Sequence, residues 1–197
     1  SINNKETKNS NLQKIIENKT KQFFFLCIKK NHAKSDLILS ELLDTFSILD
    51  YNIIVSENSY ADPFLFEHNG YQYIFCEELH NDKGRIIYLK LNEYGNICDK
   101  GVALDLSHHL SYPYIFKDDN EIYMIPEQGS TNTIQLYKCT EFPHKWEPIY
   151  TFIGGDWFVD SNLIKYNGYY WIITTNVLGK LYIIYSKHLL HSWNLHP

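Results

Sequence analysis

The stretch DPFLFEHNGYQYIFCE at Asp62–Glu77 is followed by two others of the same design. Tyr112–Glu127 has the sequence YPYIFKDDNEIYMIPE, and Asp160–Thr175 has the sequence DSNLIKYNGYYWIITT. Each is an apolar strand, a polar turn and an aromatic-rich strand, and the starts lie 50 and 48 residues apart. A repeat of about 40 to 50 residues built from short strands is typical of a β-propeller blade. The sequence therefore predicts an all-β fold of the propeller type.

The turns inside the repeats support this prediction. Asn69-Gly70 and Asn167-Gly168 are strong hairpin signals, and Asp119-Asn120 occupies the same place in the second repeat. Ile97–Leu104 is predicted to be a fourth, outer strand of the first repeat. The predicted third strands cover residues 85–91, 133–139 and 180–186.

The chain divides into a propeller at residues 59–197 and a short mixed segment at 1–58. In that segment a polar tail precedes a strand at Gln22–Lys29, and Ser35–Leu43 is predicted to be a helix, with a strand as the alternative. Propellers close with about four to eight blades, whereas three repeats are clear here. We expect either that residues 1–58 supply further strands or, as we favour, that the chain is part of a longer polypeptide.

Composition excludes some functions. The net charge of −5 gives no electrostatic support for nucleic-acid binding. None of the four cysteines forms a CxxC pair, so we predict reduced thiols and no zinc site. No stretch has the length of a membrane span, and we predict no integral membrane segment and a cytoplasmic location. The aromatic content of 16% suits pleated strands and offers platforms for sugar rings.

The repeat also predicts where a site would lie. In a blade the second strand runs antiparallel to the innermost first strand, so the start of one and the end of the other share a face. The residues that should therefore surround one mouth of the central funnel are Asp62, Tyr112, Asp160, Glu77, Glu127 and Thr175. Facing carboxylates in a funnel shift each other's pKa values, as acid–base chemistry requires. We take Asp62, Asp160 and Glu127 as candidate catalytic residues.

Four more residues are candidates for substrate binding: Glu77, His109, Tyr112 and Trp157. Each candidate has a structural alternative. The two aspartates would accept hydrogen bonds from turn backbone, and Glu77 and Glu127 would perform one architectural task that recurs in each blade. Trp157 would be buried between blades, as we also expect for Trp146 and Trp193. Adjacent His108 and His109 point to opposite faces and cannot easily share a metal, so neither a metal nor a cofactor is predicted.

The chain from Ala61 onward resembles a propeller domain of bacterial surface-polysaccharide proteins, sometimes fused to a formyltransferase-like domain, and of plant glucosamine inositolphosphorylceramide transferases. The segments that carry the resemblance are Ala61–Phe66, His109–Phe116, Ile122–Gln128, Leu136–Trp146 and Ser192–Pro197. More remotely, the chain is similar to the five-bladed arabinanase-like propellers of family 43 glycoside hydrolases.

The remote resemblance implies a base at Asp62 and a pKa-tuning acid at Asp160, whereas the general-acid glutamate of that family lies on a fourth blade that is not found here. We expect a carbohydrate-active domain of cell-surface glycan or glycolipid biosynthesis. Its funnel would bind a sugar, a sugar nucleotide or a glycolipid head group. The alternatives are a glycoside hydrolase, and a non-catalytic scaffold for a formyltransferase or glycosyltransferase.

Overall fold

The computed structural model describes residues 26–28, 52–54 and 58–197, and these form an all-β fold. Apart from a short 3-10 helix at Gly129–Thr131, the regular elements of the described ranges are strands. Helices long and apolar enough to cross a membrane do not occur in these ranges. The strands are β1 Leu26–Ile28, β2 Asn52–Ile54, β3 Ser59–His68, β4 Tyr71–His80, β5 Lys83–Leu91, β6 Ile97–Leu104, β7 Ser111–Asp118, β8 Glu121–Glu127, β9 Thr133–Glu141, β10 Lys145–Gly154, β11 Phe158–Tyr166, β12 Tyr169–Asn176, β13 Leu181–Ser186 and β14 Asn194–Leu195.

Twelve of these strands form three antiparallel sheets of four, each in simple sequential order. Blade 1 comprises β3–β6, blade 2 comprises β7–β10 and blade 3 comprises β11–β14. The first strands of the sheets are neighbours, because β3 lies beside β7 and β7 beside β11. The sheets are therefore blades that stand side by side around an axis, which confirms the predicted propeller fold.

The hairpins lie where the sequence placed them. Asn69 and Gly70 have φ angles of +50° and +78°, and Asn167 and Gly168 have φ angles of +50° and +77°. Two successive positive φ angles form the tight turn that matches the twist of paired strands. The predicted outer strand Ile97–Leu104 is confirmed as β6, whereas β10 and β14 were not predicted.

Two apolar cores lie between the blades. The first joins Phe75 and Tyr88 of blade 1 to Met124 and Trp146 of blade 2. The second joins blade 2 to blade 3, where Ile125, Leu136, Leu163, Ile172 and Ile184 are buried. Because blade 2 contributes one face of its sheet to each core, it is held at a fixed distance and angle to both neighbouring blades.

Trp146 and Trp193 occupy the wedges between blades, as predicted. Trp146 packs edge-on against Phe75 with ring centroids 6.0 Å apart, and its indole N–H donates to the Pro143 carbonyl. Trp193 packs against Phe152 of blade 2 with ring centroids 4.8 Å apart. Each ring therefore joins two blades rather than covering one.

The short strands β1 and β2 pair with each other and cover the opposite face of blade 1. Leu26 and Ile54 pack there on a layer that includes Ile74 and Ile87. The strand predicted at Gln22–Lys29 is confirmed for Leu26–Ile28. The predicted polar tail and the predicted helix at Ser35–Leu43 lie outside the described residues, and the boundary at residue 58 stays a prediction.

Cys76 belongs to the same layer and is fully buried, as the sequence predicted. Burial raises the pKa of its thiol above the usual range, so the group remains protonated and packs as a small apolar side chain. Cys98 is exposed and Cys139 is half-buried, and both of them and Cys76 are free thiols.

Replacement of Trp146 tests the wedge. Because the ring is 7% exposed and fills an inter-blade core, Trp146→Ala is expected to lower the free energy of unfolding by about 3 to 5 kcal/mol. Urea denaturation measures this loss. The control Leu178→Ala removes a side chain that is 88% exposed and should change stability by less than about 0.5 kcal/mol. Similar effects of the two substitutions would contradict the inter-blade role.

Candidate functional site

Near its start, the inner strand of each blade has a residue in the left-handed backbone region. Asp62, Tyr112 and Asp160 have φ angles of +50°, +43° and +53°. At each of them the pairing with the second strand shifts its register, which indicates a β-bulge. Aspartate tolerates this conformation, but for a tyrosine it costs about 1 to 2 kcal/mol. A left-handed residue at the same place in three blades marks a candidate functional region.

At the bulges, backbone N–H groups do not pair within their own sheet and donate hydrogen bonds to carboxylates of the preceding blade. The Tyr112 N–H donates to Asp62 Oδ2 over 3.3 Å, and the Asp160 N–H donates to Glu127 Oε2 over 3.2 Å. Asp62 therefore does accept a backbone hydrogen bond, as its structural alternative predicted. The donor, however, belongs to the next blade and not to the turn beside Asp62. These two bonds fasten blade 1 to blade 2 and blade 2 to blade 3.

Glu77 occupies the repeat position of Glu127 but has a different partner. Its Oε1 lies 3.1 Å from His109 Nε2, while the Gly84 N–H donates to His109 Nδ1 over 3.0 Å. These contacts assign the imidazole proton to Nε2, from which it is donated to Glu77. Glu77 and Glu127 therefore have different hydrogen-bond partners, and the prediction that they perform one recurring architectural task is wrong.

The pKa values show that these groups share one electrostatic environment. Burial, more than any other effect, raises the pKa of Asp62, and the charges of Glu77 and Asp160 raise it further, against the hydrogen bond from Tyr112. Burial also raises the pKa of Glu127, with a contribution from the charge of Asp160 and opposition from that residue's N–H. We call Asp62, Glu77, Glu127 and Asp160 the acidic rim; it brings the predicted carboxylates together.

His109 lies beside the acidic rim and is half-exposed. Its hydrogen bond to Glu77 raises the pKa of the imidazole, burial lowers it, and the charges of Glu127 and Asp62 raise it. In the neutral ring Nδ1 accepts from the Gly84 N–H, and the net effect of the surroundings is to raise the pKa of the imidazole. The neighbouring His108 has its Nε2 buried, which agrees with the predicted split into one packed and one solvated histidine.

Tyr112 contacts a residue beside the acidic rim, and Trp157 lies against Gly129, two residues after Glu127. The Tyr112 hydroxyl donates to Asn162 Oδ1 over 3.2 Å, and the Asn162 amide donates to the Asp160 carbonyl over 2.9 Å. The Trp157 side chain is 46% exposed and lies against Gly129, where an added Cβ would come within 1.8 Å of the indole. Trp157 is therefore not fully buried between blades, and it precedes Asp160 of the acidic rim by three residues.

Two functional candidates were missed by the sequence analysis, Asn162 and Gly84. A Cβ at Gly84 would lie 2.4 Å from the Leu110 carbonyl and 2.7 Å from both Glu77 Oε1 and His109 Nε2. A glycine inside a strand indicates close backbone approach, so a signal for Gly84 was present. Asn162 carries no such signal.

Chemically, the acidic rim offers acceptors for hydroxyl and ammonium groups. Within residues 26–28, 52–54 and 58–197, groups of three or more histidine, cysteine or acidic side chains with the geometry of a metal site do not occur. Two partly buried carboxyl groups with raised pKa values are also suited to proton transfer.

The close approach at Gly84 is testable by adding one methyl group. Gly84→Ala should lower the free energy of unfolding by about 2 kcal/mol or more, because the backbone carbonyl of Leu110 must move. The control is Gly154→Ala, where the added Cβ meets only ordinary contacts at 3.5 Å and beyond. Denaturation measures stability, and loss of the slow exchange of the Leu110 N–H, which donates to the Gly84 carbonyl, would report the local shift. Equal stability of the two variants would refute the close approach.

The raised pKa of Glu127 has a consequence for stability. Ionisation of a carboxyl group whose pKa is raised by folding costs stability, and the cost is present above the raised pKa and absent below the ordinary one. Glu127→Gln keeps an oxygen for the Asp160 N–H, so it should stabilise the protein at neutral pH by about 1 kcal/mol. The gain should shrink as the pH falls through the raised pKa of Glu127 and vanish below the ordinary pKa.

Thermal unfolding over a pH series measures this effect. The control is Glu141→Gln, because a hydrogen bond from Lys145 lowers the pKa of Glu141 and its replacement should have the opposite sign at neutral pH. A gain from Glu127→Gln that does not depend on pH would contradict the electrostatic explanation.

Comparisons with known proteins agree with the fold. Residues 42–197 match the family model described as "Glucosamine inositolphosphorylceramide transferase 1, N-terminal". The glucosamine inositolphosphorylceramide transferases 1 of Oryza sativa subsp. indica and of Arabidopsis thaliana are each 33% identical over 149 residues, which cover 71% of this chain. These residues cover 20% and 19% of the two relatives, so the chain spans about a fifth of their length.

Among solved structures, the catalytic domain of the Coprinopsis cinerea GH62 α-L-arabinofuranosidase superposes with a TM-score of 0.58 at 15% identity, covering 68% of this chain and 49% of that one. The exo-β-1,3-galactanase of Phanerochaete chrysosporium gives a TM-score of 0.61 at 12% identity, covering 76% and 41%. Identities this low show a shared fold. The chain belongs to the family of the N-terminal domain of glucosamine inositolphosphorylceramide transferase 1.

Proposed function

We propose that this domain binds a sugar-containing ligand of cell-surface glycan or glycolipid biosynthesis at the acidic rim. The observation that carries the proposal is the convergence of carboxyl groups from three successive blades, of which Asp62 and Glu127 have raised pKa values. Carboxylates accept hydrogen bonds from several sugar hydroxyls at once. The exposed surface of Trp157 provides an apolar platform for the sugar ring.

The charge of the acidic rim narrows the ligand class. Sugar nucleotides carry a diphosphate, which neighbouring carboxylates repel. A sugar with an ammonium group is attracted by the same carboxylates, and the relatives are named for glucosamine. An amino sugar, free or within a glycolipid head group, is therefore the ligand that the charges support best. Since the chain spans about a fifth of these relatives, any transferase activity of a larger protein is a proposal as well.

Binding of glucosamine tests the proposal, with neutral N-acetylglucosamine as the matched ligand. Asp62→Asn and Asp160→Asn should each weaken glucosamine binding about tenfold, the loss expected for one charge-assisted hydrogen bond. Asp119→Asn is the control, since Asp119 lies in the hairpin turn at the other end of blade 2. Titration calorimetry measures the affinities. No saturable binding, or equal loss for Asp119→Asn, would reject the acidic rim as the site.

A glycoside hydrolase is the second candidate function. The specific observation in its favour is the raised pKa of Glu127 in the same rim as Asp62, because a general acid must hold its proton near neutral pH. Turnover of aryl glycosides that Asp62→Asn or Glu127→Gln abolishes would favour the hydrolase over a binding domain. A formyltransferase or glycosyltransferase partner and a cytoplasmic location stay predictions.

A further inference from the structure

We infer that a pocket at the hairpin end of blade 3 binds a phosphorylated sugar. The pocket has a volume of about 380 Å³ and is lined by residues 165–170, which form the turn between β11 and β12, and by Lys187. Volumes of about 300 to 1,000 Å³ are typical of small-molecule sites. Asp160 and Lys165 stand near opposite ends of β11, so this pocket lies at the other end of the blade from the acidic rim.

The wall of the pocket is held by a buried carboxylate of blade 2. Asp118 is 7% exposed and accepts hydrogen bonds from the Lys165 ammonium group and, over 2.8 Å, from the Tyr170 hydroxyl. These bonds fix two lining side chains before any ligand arrives. Pre-organisation of this kind lowers the entropic cost of binding.

The pocket carries positive charge. Its lining contains two lysines and no carboxylate. Asp118 balances the charge of Lys165, whereas Lys187 forms no ion pair with the part of the chain that the structure describes. The Lys187 ammonium lies 5.4 Å from the ring centroid of Tyr169, which positions it beside the pocket. An unpaired ammonium group at a concave site favours an anion, and phosphate is an anion that lysine binds as a point charge.

Tyrosine rings supply the second half of the recognition. Tyr166 is 71% exposed and Tyr169 is half-buried, and both line the pocket. An exposed tyrosine ring covers the apolar face of a sugar while its hydroxyl remains available for hydrogen bonds. Together with Lys187, these rings fit a molecule that has an apolar ring face and an attached anion, which is the chemistry of a sugar phosphate.

Binding of glucose 1-phosphate to the full chain tests the inference, with glucose and inorganic phosphate as the two partial ligands. Titration calorimetry should show saturable binding of glucose 1-phosphate that is at least about tenfold tighter than binding of either part. Lys187→Glu should weaken it by about tenfold or more, because it removes a charge-assisted contact and adds repulsion. The affinity of Lys187→Gln should lie between those of the unchanged protein and Lys187→Glu.

Lys180→Glu is the matched control, because Lys180 lies 4.6 Å from the ring centroid of Tyr182 on the same blade but does not line the pocket. Equal losses of affinity for glucose 1-phosphate in Lys180→Glu and Lys187→Glu would show that only the net charge of the protein matters, and would overturn the inference. Binding of inorganic phosphate as tight as that of the sugar phosphate would overturn the role of the rings, and absence of saturable binding would overturn the site. Asp62→Asn should leave this affinity unchanged, so its outcome is separate from that of the acidic rim.

Discussion

Burial of both faces of the middle sheet, blade 2, between blades 1 and 3 is the constraint on which the structure depends. Blade 2 places Met124 in the core shared with blade 1 and Ile125 in the core shared with blade 3, as the alternation of side chains along a strand requires. Since blade 1 packs on blade 2 and blade 2 packs on blade 3, equivalent residues of the three repeats are rotated about one axis. The starting segments of β3, β7 and β11 are thereby brought to one end of it, and the acidic rim follows from the packing of the blades.

Within this frame the blades are not equivalent at the acidic rim. Glu127 holds the N–H of the next blade, whereas the equivalent Glu77 contacts His109 and leaves the corresponding N–H to Asp62. Blade 1 therefore contributes two carboxylates to the acidic rim where blade 2 contributes one. A ligand bound there would meet an asymmetric set of acceptors, and asymmetry is a requirement for recognising one orientation of a sugar.

The fold could be predicted because the repeat is expressed in local patterns: alternation, Asn-Gly turns and a constant spacing. The strand β10 was missed since it contains Pro148 and pairs with three shifts of register, which interrupt the alternation, and β14 has two residues. The period also placed Asp62, Glu127 and Asp160 together. It could not predict the left-handed backbone of Tyr112, because tyrosine has no preference for it.

The partners of His109 were beyond prediction for another reason. Gly84 and Glu77 lie 25 and 32 residues before it, and their contacts depend on how a loop crosses from blade 1 to blade 2. The same holds for the pocket of blade 3, where Asp118 of another blade holds Lys165. Contacts between repeats carry no periodic signal, so only the assembled structure displays them.

The two hydrogen bonds from backbone N–H groups to carboxylates at the bulges affect how rigidly the blades are joined. Each of these hydrogen bonds joins a carboxyl group of one blade to the backbone of the next blade near the axis. The strength of each depends on how well the carboxyl oxygen accepts a hydrogen bond. A carboxylate accepts more strongly than a protonated carboxyl group. Protonation of Asp62 and Glu127 would thus weaken both hydrogen bonds, so the pH sets how rigidly the blades keep their orientation relative to one another.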